Sequence, residues 1–236
     1  MRDTDRGHGS QKRWDKMKAV CLLSGGMDSC VTAAIAKNAG YEIYAITFDY
    51  GQRNRKEIES AIKVAAALQA KEHKIINADL RVFGRSALTD TIEVPEFEDR
   101  RNEIPPTYVP ARNTIFLSYG LAYAEAIDAD AVFIGANAVD YSGYPDCRKE
   151  YIEAYQRVAD LGTRRGAEGK PIKIMAPIIG MTKGEIVKKG VELNAPFEHT
   201  WSCYRSGDKA CGKCDSCVLR LRGFEEAGVK DPIEYE

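Results

Sequence analysis

Short apolar runs alternate with amphipathic ones along most of the chain. Ala19–Leu23 is continuously apolar and is halted by Ser24-Gly25-Gly26, which predicts a buried strand. Asp28–Asn38 reads as a helix ended by Gly40, and Ile43–Phe48 as a second strand. Across Lys56–Gln69 the apolar residues Ile58, Ala61, Ile62, Ala65 and Leu68 recur at helical spacing, and His73–Asn77 follows as a third strand. Pro95, Pro105, Pro106 and Pro110 punctuate residues 80–110, predicting a long loop with at most short helices, a length that ordinarily serves function. Then come a strongly apolar, hence central, helix over Thr114–Ile127, a fourth strand at Ala131–Gly135 and a helix over Arg148–Leu161. A fifth strand at Ile172–Ala176 precedes a helix over Thr182–Leu193, where Thr182 and Glu185 are spaced as a capping box. A last helix is predicted near Cys217–Ala227. Strand and helix alternating five times imply an α/β fold: a doubly wound, mainly parallel five-stranded sheet with helices on both faces. Such sheets bind ligands at the carboxyl ends of their strands, near the switch in strand order. The loops after the first, second and fourth strands are therefore the places to look for chemistry.

Composition narrows the classes. The chain has 236 residues, 34 basic against 35 acidic side chains, and 44% apolar residues. It can bury a core, and wholesale disorder is excluded. A net charge of −1 speaks against coating nucleic acid by bulk charge, though not against a local basic groove. No apolar run approaches the roughly 18 residues of a membrane span, and the polar N-terminus lacks the apolar centre of a secretory signal. The expectation is a cytoplasmic protein with reduced thiols. Residues 1–17, rich in Gly, Ser and charge, read as a flexible extension; residues 18–197 form the α/β domain and residues 198–236 a metal-binding tail.

Two segments carry chemistry. The turn Leu23-Ser24-Gly25-Gly26-Met27-Asp28-Ser29 joins a buried strand to a helix N-terminus, where glycines, hydroxyls and free N–H groups make an anion nest. The chain contains no G-x-x-x-x-G-K-[ST] and no G-x-G-x-x-G. Near the other end, Cys203, Cys211, Cys214 and Cys217 give C-x7-C-x2-C-x2-C, suited to a closed tetrahedral structural site. Zn²⁺ is favoured over an iron–sulfur cluster, which shares part of the spacing. Of the seven cysteines, Cys21 and Cys30 read as small core residues, and Cys147 lies in the loop after strand four.

The Ser24–Ser29 turn resembles the PP-loop of the N-type ATP pyrophosphatases, which hold the pyrophosphate of ATP and release AMP. A carboxylate beside a polyphosphate implies an intervening hard cation, so Asp28 points to Mg²⁺. Four further stretches, D-x-S-G-Y-P-D-C-R at Asp140–Arg148, P-x-Y-V-P-A-R-N at Pro106–Asn113, Y-G-Q-R at Tyr50–Arg53 and T-W-S-C-Y at Thr200–Tyr204, resemble the 7-cyano-7-deazaguanine synthase family from about Lys18 to Gly228. The resemblance implies an adenine nucleotide alpha hydrolase-like fold and a ligase. It implies that 7-carboxy-7-deazaguanine is adenylated by ATP, that ammonia displaces AMP to give an amide, and that a second ATP drives nitrile formation for queuosine or archaeosine synthesis. Where the family often has His after Y-x-Q-R, this chain has Asn54, so a proton-transfer role there does not carry over.

On this reading Leu23–Ser29, Gln52 and Arg53 bind the nucleotide. Asp140 or Asp146 pairs with the N–H edge of the deazaguanine, and Tyr141 or Tyr144 covers its ring. Asn113 belongs to the same substrate set. Arg112 or Arg148 orients the carboxylate or stabilises the adenylate, and Lys183 either contacts phosphate or is a solvated helix lysine. The implied partners are small molecules, with no direct tRNA binding, no membrane and a homodimer. Two rivals are a sulfur-inserting tRNA-modifying PP-loop enzyme, which needs Cys147 as sulfur carrier, and a non-catalytic zinc-stabilised nucleotide sensor.

Overall fold

Parallel pairing of β1 (Lys18–Leu22) with β2 (Glu42–Asp49) on one side and β4 (Ala131–Phe133) on the other organises the molecule. The computed structural model describes residues 16–98, 103–139, 143–205 and 207–236. β3 (Glu72–Asn77) flanks β2 and β5 (Lys173–Met175) flanks β4, giving the all-parallel order β3-β2-β1-β4-β5. The chain winds outward from β1 through β2 and β3, then crosses back to the far side of β1. That reversal opens the crevice between the carboxyl ends of β1 and β4.

The two-residue period of β1 divides the core. Ala19, Cys21 and Leu23 pack with α1 (Met27–Asn38), α2 (Lys56–Ala67) and α6 (Lys183–Glu192) on one face. Val20 and Leu22 pack with α3 (Arg112–Ala126) and α4 (Lys149–Gly162) on the other. Cys21 and Cys30 sit inside the core, where burial pushes both thiols up to about 12. α7 (Asp215–Glu226) places Phe224 in the first cluster against Phe197, so the tail shares the core of the sheet. Among the described residues no helix is long and apolar enough to cross a membrane.

Several boundaries differ from expectation for local reasons. β4 stops two residues early because Gly135 must pass the α1 backbone: a Cβ there would stand 2.9 Å from the Ser29 nitrogen. α3 starts at Arg112, not Thr114, because the Asn113 N–H is satisfied by Asp146 Oδ2 at 3.1 Å and Ala111 turns the chain at φ 53°. α3 is also not fully central: Leu117, Gly120, Leu121 and Ala124 are buried while Tyr119 is exposed. On α2 the buried stripe is Ala61, Val64, Ala65 and Leu68, and Ile62 faces solvent. A short helix, α5 (Arg164–Ala167), was not anticipated; Thr163 caps it by accepting the Gly166 N–H at 2.9 Å. α7 begins two residues before Cys217, with Cys214 as its N-cap. The capping box of α6 is present as expected, with Thr182 Oγ1 accepting the Glu185 N–H at 3.2 Å.

Candidate active site

The turn between β1 and α1 is braced from within. Ser24 Oγ and Ser29 Oγ share a 3.0 Å hydrogen bond, and the Gly26 N–H donates to Ser24 Oγ at 3.3 Å. Gly25 adopts φ +87° with its α-carbon pressed on α2; a Cβ would meet the Glu57 carbonyl oxygen at 2.1 Å. No side chain caps α1, so its first N–H groups are left for an anion at the positive end of the helix dipole. Lys183, the first residue of α6, donates to Asp28 Oδ2 at 2.6 Å. Asp28 Oδ1 is buried and has no hydrogen-bond partner among the described residues. An orphaned carboxylate oxygen beside an anion nest fits a hard divalent cation such as Mg²⁺.

This loop opens into a cavity of about 260 Å³ at the carboxyl ends of β1 and β4. Leu23, Ser24, Gly26, Met27, Asp28, Ser29 and Lys183 line it, as do Arg112, Tyr50, Tyr144 and Tyr204. Arg112 projects from the first position of α3 over the Tyr50 ring, 5.8 Å from its centre. Tyr144 is held by a 2.9 Å bond between its hydroxyl and Thr107 Oγ1. Phe48 and Phe116 stack with ring centres 3.9 Å apart and give the cavity an apolar aromatic wall suited to a planar heterocycle. Glu57, in the first turn of α2, also opens onto the cavity; burial pushes its carboxyl up to about 7 against the lowering pull of Arg112. Cys147 lines the cavity as a thiol that burial pushes up to about 11.

The tail supplies the remaining wall. The sulfurs of Cys203, Cys211, Cys214 and Cys217 all lie within 4.8 Å of one another and are buried, an arrangement compatible with a metal site. Backbone N–H groups point at them, from Cys211 to Cys203 Sγ and from Cys214 to Cys211 Sγ, each at 3.4 Å. The adjoining segment reaches the turn between β1 and α1, where the Trp201 N–H donates to the Gly25 carbonyl at 2.8 Å. Trp201, Ser202 and Tyr204 consequently line the cavity. Arg220, which lines the cavity with them, makes a buried bidentate pair with Asp231, at 2.7 and 2.8 Å, and donates to Thr200 Oγ1 at 2.7 Å.

Not every expected residue reaches the cavity. Arg148 is the exposed N-cap of α4 and does not line it, because the chain turns outward after Cys147. Arg53 is exposed, does not line the cavity, and donates to the Asp90 and Ile92 carbonyls, fastening the long loop. Gln52 lines the cavity, but its amide accepts the Tyr50 N–H at 2.8 Å and donates to the Phe48 carbonyl at 3.1 Å, shaping the loop after β2. Asp146 is buried behind the wall, where desolvation raises its pKa, and it binds the Asn113 N–H. Asn113 reaches the cavity while its amide donates to the Asp146 carbonyl at 3.0 Å and to Cys147 Sγ at 3.3 Å. Gly25 shapes the loop without lining the cavity. Asp140 and Tyr141 lie outside the described residues. Asn54 faces the tail, its amide donating to the Arg205 carbonyl at 2.9 Å. Sequence alone does not single out Glu57, because an acidic residue in a first helical turn ordinarily serves the dipole.

The family described as "Queuosine biosynthesis protein QueC" matches residues 18–228. A 7-cyano-7-deazaguanine synthase of Acetivibrio thermocellus is 58% identical over 219 residues, covering 92% of this chain and 97% of that protein. One of Nostoc punctiforme is 56% identical over 223 residues, covering 93% and 100%. One of Thermoplasma acidophilum is 54% identical over 224 residues, covering 94% and 93%. Among solved structures, a 4-thiouridine synthetase–RNA complex with bound ATP aligns at a TM-score of 0.49 and 23% identity, over 76% of this chain and 41% of that one.

Proposed function

The chain belongs to the queuosine biosynthesis protein QueC family, and on that premise we propose that it is a ligase converting 7-carboxy-7-deazaguanine and ammonia to 7-cyano-7-deazaguanine at the expense of two ATP. The observation that carries this reading is that the anion nest, the Asp28–Lys183 pair and Arg112 all face one aromatic-walled cavity. The N–H groups at the start of α1 receive the pyrophosphate of ATP, and Lys183 neutralises charge developing there as pyrophosphate leaves. Asp28 Oδ1 would hold Mg²⁺, which would supply positive charge to offset that of the polyphosphate. Arg112 orients the substrate carboxylate toward the α-phosphate, while Tyr144 and the Phe48–Phe116 wall sandwich the heterocycle.

Zn²⁺ is the metal proposed for the four cysteines, in a closed site that orders the tail and performs no chemistry. Residues 18–197 then act as the ATP-binding body and 198–236 as its metal-clamped wall. The buried, protonated Cys147 is a poor sulfur carrier, which favours nitrile synthesis over the sulfur-inserting alternative. A small-molecule substrate, no direct tRNA contact and a homodimer complete the reading. Incubation with ATP, ammonium and 7-carboxy-7-deazaguanine should yield AMP, pyrophosphate and the nitrile together; intact ATP would refute it.

A further inference from the structure

Turning ammonia into a nitrile nitrogen removes three N–H protons, and something in the cavity must accept them. No histidine does so among the described residues: the His73 ring is bonded to Thr47 of β2, His199 lies beside Glu198, and neither lines the cavity. Asn54, at the position after the Y-G-Q-R stretch, faces the tail. Of the cavity carboxylates, Asp28 is bound to Lys183, and Asp215 is buried and already partnered at the start of α7. Glu57 is different. It stands on the turn of α2 that packs directly under Gly25, so its backbone is locked to the phosphate loop, and its carboxyl shares the cavity with Arg112 and Tyr50.

Resting on the function proposed above, we propose that Glu57 is the general base that strips the protons from the incoming nitrogen. In the first half, the ammonia lone pair forms the C–N bond at the acyl adenylate. The C–O bond to AMP breaks with its electron pair, and the surplus N–H proton passes to Glu57, leaving the amide. In the second half, the amide oxygen attacks the α-phosphorus of a second ATP, expelling pyrophosphate, as one N–H proton passes to Glu57. The last N–H proton leaves the same way as AMP departs and the C≡N bond forms. Between steps the carboxyl returns each proton to solvent, and no redox change occurs. A carboxyl raised to about 7, with Arg112 opposite and Tyr50 beside it, both accepts and releases protons near neutrality.

The test supplies the amide with ATP, so that the protonation of ammonia does not enter. Wild-type nitrile formation should rise with pH through about 7. Glu57→Gln should be slower by about 100-fold or more and lose that rise. Carboxylate-dependent exchange of pyrophosphate into ATP moves no N–H proton and should fall by less than about tenfold, a split that simple loss of packing would not produce. Glu57→Asp should recover part of the rate with a displaced pH rise, and it decides the matter if Glu57→Gln does not fold. Equal loss in both assays, or an amide rate within about threefold of wild type, would overturn the role. A wild-type protein that exchanges no pyrophosphate on the carboxylate would instead refute the function itself, and this role with it.

Discussion

Asp28 divides its two oxygens between two tasks: one is bound by Lys183 at 2.6 Å, and the other is left bare in a buried place. The pairing explains how a lysine at the positive end of α6 is tolerated, since the carboxylate offsets its repulsion by the helix dipole. Lys183→Met should lower carboxylate-dependent pyrophosphate exchange by about 10²–10³-fold, the usual effect of removing a group that stabilises developing charge. Glu57 also carries a stability signature. Its folded pKa, about 7, lies above the ordinary glutamate value of 4.5, so the folded state binds more protons between those values. Stability from this site is therefore lost as pH rises from about 4.5 to 7. Melting temperatures of Glu57→Gln relative to wild type should improve more at pH 8 than at pH 5; an equal difference at both would contradict the raised pKa.

The turn between β1 and α1 depends on close approach between elements as well as on its own residues. Gly25 presses β1's exit against α2, and Gly135 presses β4's exit against the start of α1. At both positions the obstruction is backbone, which cannot rotate aside. Gly135→Ala should cost about 2–3 kcal/mol through overpacking, lowering the melting temperature by on the order of 5–10 °C. Gly25→Ala adds the strain of φ +87° to a clash with the Glu57 carbonyl and should disrupt ATP binding as well. Thermal melts with and without ATP check both. That a Ser/Gly-rich turn would join strand to helix here was legible in the sequence. The two contacts that set its shape were not, because each pairs residues more than thirty positions apart on unrelated elements.

Over the whole molecule, the tail that carries the four clustered cysteines lines the same cavity as the Ser24–Ser29 turn. Its cysteines cluster beside Trp201–Tyr204, and the Trp201 N–H donates to the Gly25 carbonyl in the β1–α1 turn. Cys214→Ser should release the metal, measured by elemental analysis, and weaken ATP binding as well as stability, since the cavity loses a wall. Brown, iron-bearing protein would replace zinc by a cluster in the proposal. Asp231→Ala leaves Arg220 buried without its carboxylate and should cost about 3–5 kcal/mol by denaturant titration. The repeating strand–helix pattern, the Gly/Ser turn between β1 and α1 and the four-cysteine set are legible in the sequence, because each is carried by neighbours in the chain whose local backbone or spacing enforces it. Which arginine enters the cavity, Arg112 and not Arg148 or Arg53, was decided by packing. So were the retreat of Asp146 behind the wall and the emergence of Glu57 into it. Those outcomes depend on where segments distant in sequence meet, and on the burial and charge each side chain finds there, which no local pattern records.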